Sequence, residues 1–300
     1  MLIAIVMGVL TGLVITFVGV ALKYISSSKL DAQKYFLLNY FFTCILGLII
    51  FCKFDVVFSG EVISPVKLVI VFGLSGVFNY LGLLFMEKAM TYGHSGVVWA
   101  IGQSALIVPF LVGVFVFNQT ATLVQYIGVL SILLGVFIPS LAGRKNSVDG
   151  HTGSSHIWFF LALASLLASG AAQAFANVPS YWVGWSDNAQ LRLSLGALAS
   201  TIICLAVMLI KRKKIFPIAR KLVVIGFVMA CVTLLALKML FYTLDRLSSY
   251  NMGAIGYPIV IGSCITGFSL YSMFVIKEKV LWQNWVGLIA TILGIIIISL

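Results

Sequence analysis

The sequence predicts an all-α integral membrane protein of ten transmembrane helices, arranged as two inverted repeats of five. Three observations predict it. The 300-residue chain is 62% hydrophobic and only 9% charged, against roughly 25% charged in a soluble protein, and its mean hydropathy is +1.15. The apolar residues fall into ten runs, each close to the roughly 20 residues that a helix needs to cross a bilayer. Features of the first five runs recur in the second five at a nearly constant offset.

The runs lie at about 2–23, 35–52, 68–86, 95–117, 121–142, 157–178, 189–210, 222–244, 250–275 and 280–300. The first has no basic residue ahead of it and no small-residue cleavage site leading into a polar chain, so it reads as a retained helix rather than a signal peptide. Connections are short and leave no room for a soluble domain. The cysteines (Cys44, Cys52, Cys204, Cys231, Cys264) lie in or beside apolar runs without a CxxC pair, as small buried hydrophobes do. His94, His151 and His156 lack the spacing of metal ligands, and neither metal nor cofactor is expected. The net charge of +11 fits basic membrane-flanking loops rather than nucleic-acid binding.

The repeat is read from matched stretches. "DAQ" at 31–33 returns as "NAQ" at 188–190, "EK" at 87–88 as "DR" at 245–246, and "YIGVLSILLGVFI" at 126–138 as "WVGLIATILGIII" at 285–297. Residues 1–142 thus form the first five-helix unit, 143–156 a polar linker and 157–300 the second unit. Five crossings is an odd number, so the second unit enters from the opposite side. Inverted repeats of this kind serve alternating access around a central site.

The stretches "AMTYGHSGVVWAIGQSALIVPFLVGVFVF" with "YIGVLSILLGVFI", and "SYNMGAIGYPIV" with "MFVIKEKVLWQNWVGLIATILGIII", resemble the repeat signatures of the drug/metabolite transporter superfamily in its EamA-like ten-helix branch. The resemblance spans nearly the whole chain and places Glu278 at the family's acidic position, where the first repeat has "NQT" at 118–120. It implies transport of small metabolites. Small multidrug exporters of that superfamily use a buried glutamate in the first helix; this chain has none there, which disfavours proton-coupled export of organic cations.

Small residues mark packing seams. Gly8 and Gly12 form a GxxxG whose repeat equivalent is Ser165 and Ser169, a spacing that lets helices approach closely in lipid. Gly128 and Gly135 match Gly287 and Gly294, each pair two turns apart on one face, and would let the fifth and tenth helices pack tightly. Trp158, Trp182, Trp185, Trp282 and Trp285 read as interfacial anchors.

Polar residues inside the runs are the candidate substrate site, because unsatisfied amides in hydrocarbon cost several kcal/mol. The sixth run carries Ser165, Ser169, Gln173 and Asn177 every four residues. The third offers Asn79 and Tyr80, the fourth Trp99 and Gln103 one turn apart, and the ninth Tyr257, the repeat equivalent of Trp99. Packing and interhelical hydrogen bonding compete with cavity lining for these residues. Lys238 stands within "CVTLLALKMLFY", equivalent to Asn79 or Tyr80, with Tyr242 and Asp245 following on one face. A mid-bilayer charge costs about 2.5–3.5 kcal/mol on insertion scales. Lys238 therefore reads either as a cavity cation or as a lysine that snorkels or pairs with Asp245. Central lysines of anion and sugar-nucleotide carriers in the superfamily imply the first role.

The expected function is a secondary transporter, in the export direction, of a small polar metabolite that is anionic or zwitterionic, such as an amino acid derivative. A sugar or nucleotide-sugar exchanger is the alternative, and a non-transporting membrane scaffold the alternative of another class. No HExxH, GxSxG, Ser/Lys dyad or paired aspartate marks an enzyme, and no Walker A marks ATP hydrolysis. The expected partners are the substrate and a bacterial cell membrane, without nucleic acid, with a monomer as the expected state. Numbering the connections in order, the odd ones carry fourteen basic residues and the even ones four. Loop charge thus puts both termini outside the cytoplasm, whereas the resemblance implies both inside.

Overall fold

The computed structural model describes residues 2–28, 30–51, 65–93, 95–118, 122–143, 157–181, 191–248, 256–277 and 282–298, and these are helical without a strand. In chain order the helices are α1 (Leu2–Ser27), α2 (Ala32–Phe51), α3 (Pro65–Tyr92), α4a (Ser95–Gln103) and α4b (Ile107–Phe115), α5 (Leu123–Gly143), α6 (Ile157–Asn177), α7 (Leu191–Ile210), α8 (Arg220–Ser248), α9 (Gly256–Phe274) and α10 (Trp282–Ile298). A 3₁₀ turn at Ser104–Leu106 joins α4a to α4b, so the described residues form ten helices with the fourth broken. Most of the linker 143–156, the "NAQ" triplet, Glu278, Cys52, the three histidines, Trp182, Trp185 and the side chains of Tyr257 and Asp245 lie outside the described residues.

Among the described residues, seven helical stretches are long and apolar enough to cross a membrane: Ile3–Ser27, Ala32–Ile50, Val66–Tyr92, Ser95–Phe115, Ile157–Asn177, Arg192–Ile210 and Arg220–Leu240. Shorter apolar stretches occupy Leu123–Gly135, Ile259–Phe274 and Trp285–Gly294. Large apolar side chains such as Ile49, Val69, Leu209 and Ile289 face outward. Water would penalise so much exposed apolar surface, whereas lipid accepts it. The helices fit a multi-pass membrane protein. They also outrun the apolar runs. The reading 2–23 becomes Leu2–Ser27 and 68–86 becomes Pro65–Tyr92, because polar residues at a membrane edge keep their backbone hydrogen bonds by staying helical.

The packing follows small residues. α3 lies on α6 and α7, α8 on α1 and α2, α1 on α9, α2 on α7, and α5 on α10. A Cβ on Gly12 would fall 2.6 Å from Ser263 Cβ and 2.8 Å from the Cys264 nitrogen, and one on Gly8 would meet Ile259 and Thr243. On the other side, Ser165 Oγ donates to the Gly82 carbonyl at 2.8 Å and Ser75 Oγ to that of Ala172 at 2.9 Å.

α5 and α10 meet at their glycines. A Cβ on Gly135 would fall 2.6 Å from the Gly287 carbonyl oxygen, and one on Gly294 would fall 2.7 Å from that of Gly128. Between these contacts Ser131 Oγ donates to the Ala290 carbonyl at 2.9 Å. α4b and α9 also end alike. Val116 and Phe117 donate to the Val112 carbonyl, and Val275 and Ile276 to that of Tyr271. Each helix then passes into a left-handed residue, Asn118 with φ 52° and Lys277 with φ 58°.

Two sequence readings are corrected. Trp158 is no interfacial anchor; it is buried, with its ring closed over Gly93, where a Cβ would fall 2.8 Å from Trp158 Cδ2. Cys231 is exposed, whereas Cys44, Cys204 and Cys264 are buried. Cys231 shares the outward face of α8 with Val224, Val228 and Leu235.

Candidate functional site

The break in α4 centres the site. Pro109 lacks an N–H, so the carbonyl four residues earlier, at Ala105, loses its helical partner, and the chain tightens into the 3₁₀ turn. Ser104 stays buried by donating Oγ to the Ala100 carbonyl at 2.9 Å. α6 covers the break closely: a Cβ on Gly170 would fall 3.0 Å from the Ala105 oxygen and against Val108. Irregular backbone at membrane depth is tolerated where protein buries it or where it lines a cavity.

Trp99 and Gln103 stand on the turn before this break. Trp99 is fully buried. Its ring lies 5.2 Å from that of Phe268 at 41°, and Phe268 lies 5.8 Å from Tyr271. α1 is admitted beside the pair at Gly19, where a Cβ would fall 2.7 Å from Phe268 and 3.0 Å from Trp99. The indole Nε1 is buried without an oxygen acceptor among the described residues, and the Cys264 thiol faces it. Gln103, the last residue of α4a, is half-buried.

Gln173 and Asn177 come from α6. Ser165, Ser169 and Ala172 form the side of α6 that meets α3, and Gly170 meets α4. By the helical repeat of 100° per residue, Gln173 lies between those two faces. Its Oε1 is buried without a hydrogen-bond partner among the described residues. The contacts of Ser165 with Gly102 and of Gly170 with Ala105 set the register, which puts Gln103 near Leu166 and Gln173 about two turns further along. Asn177 is half-buried at the end of α6. The rings of Phe78 and Phe175 stack beside this region, 5.9 Å apart and 6° from parallel.

Four other candidates lie elsewhere. Asn79 Nδ2 donates to Ser200 Oγ on α7 at 3.4 Å, and Ser200 Oγ donates to the Gly76 carbonyl at 3.1 Å. Tyr80 is buried and accepts from Gln33 Nε2 at 3.4 Å, with Phe36 edge-on to its ring. It therefore belongs to a polar cluster of α2, α3 and α7.

Lys238 is exposed on the same outward face of α8 as Cys231 and Leu235. Its depth follows from α2 and α1. Gly226 packs on Leu38, Phe227 on Phe42, and Leu234 on Gly47. The two helices run in the same direction, so the next turn sets Lys238 level with Phe51, the last described residue of α2, while the contact of Thr243 with Gly8 sets it about level with Leu13, midway along α1. Tyr80 is level with the first turn of α2. The two repeat-equivalent positions thus differ in facing, Tyr80 turned inward and Lys238 outward. Tyr242, also exposed, carries the Arg246 guanidinium 5.6 Å above its ring. Only the backbone of Tyr257, in the first turn of α9, is described.

Sequence reasoning missed Gly19, Phe268 and Thr16, whose Oγ1 donates to the carbonyls of Gly12 and Cys264 at 3.1 and 3.3 Å. Gly19 carried a signal, since it lies two turns beyond Gly12 on one face. A separate cavity of about 30 Å³ lies among Val97, Ala100, Ile265, Ser269, Gly287 and Thr291, which is room for about one water.

No protein-family model and no curated protein matches this chain. Among solved structures, a crystal structure of a protein superposes with TM-score 0.61 over 99% of this chain and 98% of its own, at 14% identity. At that identity the likeness is one of fold.

Proposed function

We propose that this chain is a secondary transporter of the EamA-like kind, moving a small anionic or zwitterionic metabolite such as an amino acid derivative by alternating access. The observation that carries the reading is the broken α4 with Trp99 and Gln103 on the turn before the break. Discontinuous helices near a polar, aromatic-lined centre are how transporter folds build substrate sites. The unpartnered Oε1 of Gln173 beside α4 adds an acceptor, and the Trp99–Phe268 pair adds an apolar wall.

The packing also supports two inverted repeats. Exchanging the first five helices for the last five turns the pair α3–α6 into α8–α1, and α3–α7 into α8–α2, while α2–α7 and α5–α10 map onto themselves. The matching ends of α4b and α9 lie 159 positions apart (277 minus 118). Substrate binding is assigned to Trp99, Gln103 and Gln173, with Lys238 outside the site because it faces outward.

The test is thermal stabilisation of the purified protein across amino acids, carboxylates, organic phosphates and sugars, followed by liposome flux of any stabilising compound. Gln103→Leu and Gln173→Leu preserve volume and should each reduce flux at least about tenfold, the equivalent of one charge-assisted hydrogen bond, with the unfolding temperature unchanged. Flux retained in both variants would move the site elsewhere. Exchange confined to sugars or sugar nucleotides would favour the exchanger reading.

A further inference from the structure

The connection between α7 and α8, residues 211–219, is held in a defined shape by its own hydrogen bonds and by ties to α1 and α2. α7 ends in a Schellman turn: Lys213 N donates to the Met208 carbonyl and Arg212 N to that of Leu209, both at 2.9 Å, with Arg212 left-handed at φ 49°. This turn aims Lys213 at Asp31, 4.0 Å away. From α2, Lys34 Nζ donates to the Pro217 carbonyl at 2.8 Å. Lys221 sits 5.0 Å above the Tyr24 ring of α1.

These ties consume three of the local cations. Lys211, Arg212, Lys214 and Arg220 remain exposed, and their side chains have no ion pair or hydrogen bond among the described residues. Between them stand two exposed apolar side chains, Ile210 at 80% and Phe216 at 74%. The apolar stretches of α7 and α8 end and begin at Ile210 and Arg220, which sets the loop at the headgroup level of a bilayer.

We propose that this loop is a binding site for an anionic phospholipid. The headgroup phosphate lies among Lys211, Arg212, Lys214 and Arg220, and Phe216 and Ile210 lie against the acyl chains. The charge argument is direct. Four exposed cations within ten residues of one connection repel one another, and an anionic headgroup relieves this, while basic clusters directly flanking a membrane helix draw anionic lipid. An exposed ring beside them adds the apolar half of the same ligand. The proposal rests on the bilayer-spanning reading and is independent of transport.

The test compares unfolding temperatures in neutral detergent with added phosphatidylglycerol, phosphatidylcholine or inorganic phosphate. Phosphatidylglycerol should stabilise the protein more than phosphatidylcholine does, and the excess should shrink as salt rises. Each of Lys211→Gln, Arg212→Gln, Lys214→Gln and Arg220→Gln should lower affinity for the anionic lipid roughly fivefold, with little change in the lipid-free unfolding temperature. The quadruple variant should lose the excess. An equal excess in wild type and quadruple variant would overturn the site, as would equal stabilisation by both lipids. Stabilisation by inorganic phosphate alone would overturn the lipid assignment. If the quadruple variant does not fold, the single variants and the salt dependence decide by the same criteria. Flux of the quadruple variant in phosphatidylcholine vesicles reports separately on transport.

Discussion

Asn118 and Lys277 end α4b and α9 with the same left-handed turn, at φ 52° and 58°. Asparagine tolerates that conformation, whereas lysine pays the steric penalty of its Cβ against the carbonyl, about 1–2 kcal/mol. Lys277→Gly should therefore stabilise the protein by up to about 1 kcal/mol, net of glycine's greater unfolded-state entropy, and Asn118→Gly by less. Thermal unfolding of the two purified variants measures this. Equal shifts, or a loss for Lys277→Gly, would refute the argument.

The close approach of α1 to the ring pair gives a second prediction. A Cβ on Gly19 would fall 2.7 Å from Phe268 and 3.0 Å from the fully buried Trp99. Gly19→Val should destabilise by about 1–3 kcal/mol through overpacking. Phe268→Leu should recover part of that loss in the double variant. Additive losses would mean that the two sites do not share this contact.

At the α5–α10 crossing the neighbour of Gly135 is backbone, which cannot rotate away. Gly135→Leu should separate the two helices. Its effect is read by crosslinking Ser131→Cys with Ala290→Cys, positions joined here by a 2.9 Å hydrogen bond. A thiol crosslinker should join the pair efficiently in the glycine background and at least several-fold less in the leucine background, where the overpacking cost is about 1–3 kcal/mol. Equal crosslinking in both would contradict the packing.

For Lys238 the outward position makes a clear forecast. Lys238→Ala should leave both the unfolding temperature and substrate flux near wild type, because this exposed lysine on the outward face of α8 has no hydrogen bond or ion pair among the described residues. Flux abolished with folding intact would return Lys238 to the substrate path.

Orientation is tested at the same loop that carries the unpaired cations. If loop charge governs insertion, a cysteine replacing Lys214 in an otherwise cysteine-free chain should resist an impermeant thiol reagent in intact cells and react after lysis. Labelling in intact cells would instead favour the orientation implied by the family resemblance.

The ten apolar runs, their order and the glycine registers of α5 and α10 were legible in the sequence because each depends on local composition or on spacing along one helix. So was the polar stripe of α6. What the sequence could not supply was direction around each helix axis and depth along it, which neighbouring helices set. "CVTLLALKMLFY" reads as a charge buried in an apolar run. Only the packing of α8 on α2 and α1 reveals that Lys238 points outward, away from both. Tyr80 was expected in the cavity, but Gln33 and Phe36 draw it into a different cluster. The packing of Trp99 on Phe268 was not legible either, because the contact crosses from α4 to α9 without a sequence match. Apolarity and periodicity along the chain determined the helices; the tertiary structure decided which side of each helix faces protein and which faces outward, because that choice belongs to pairs of helices rather than to one.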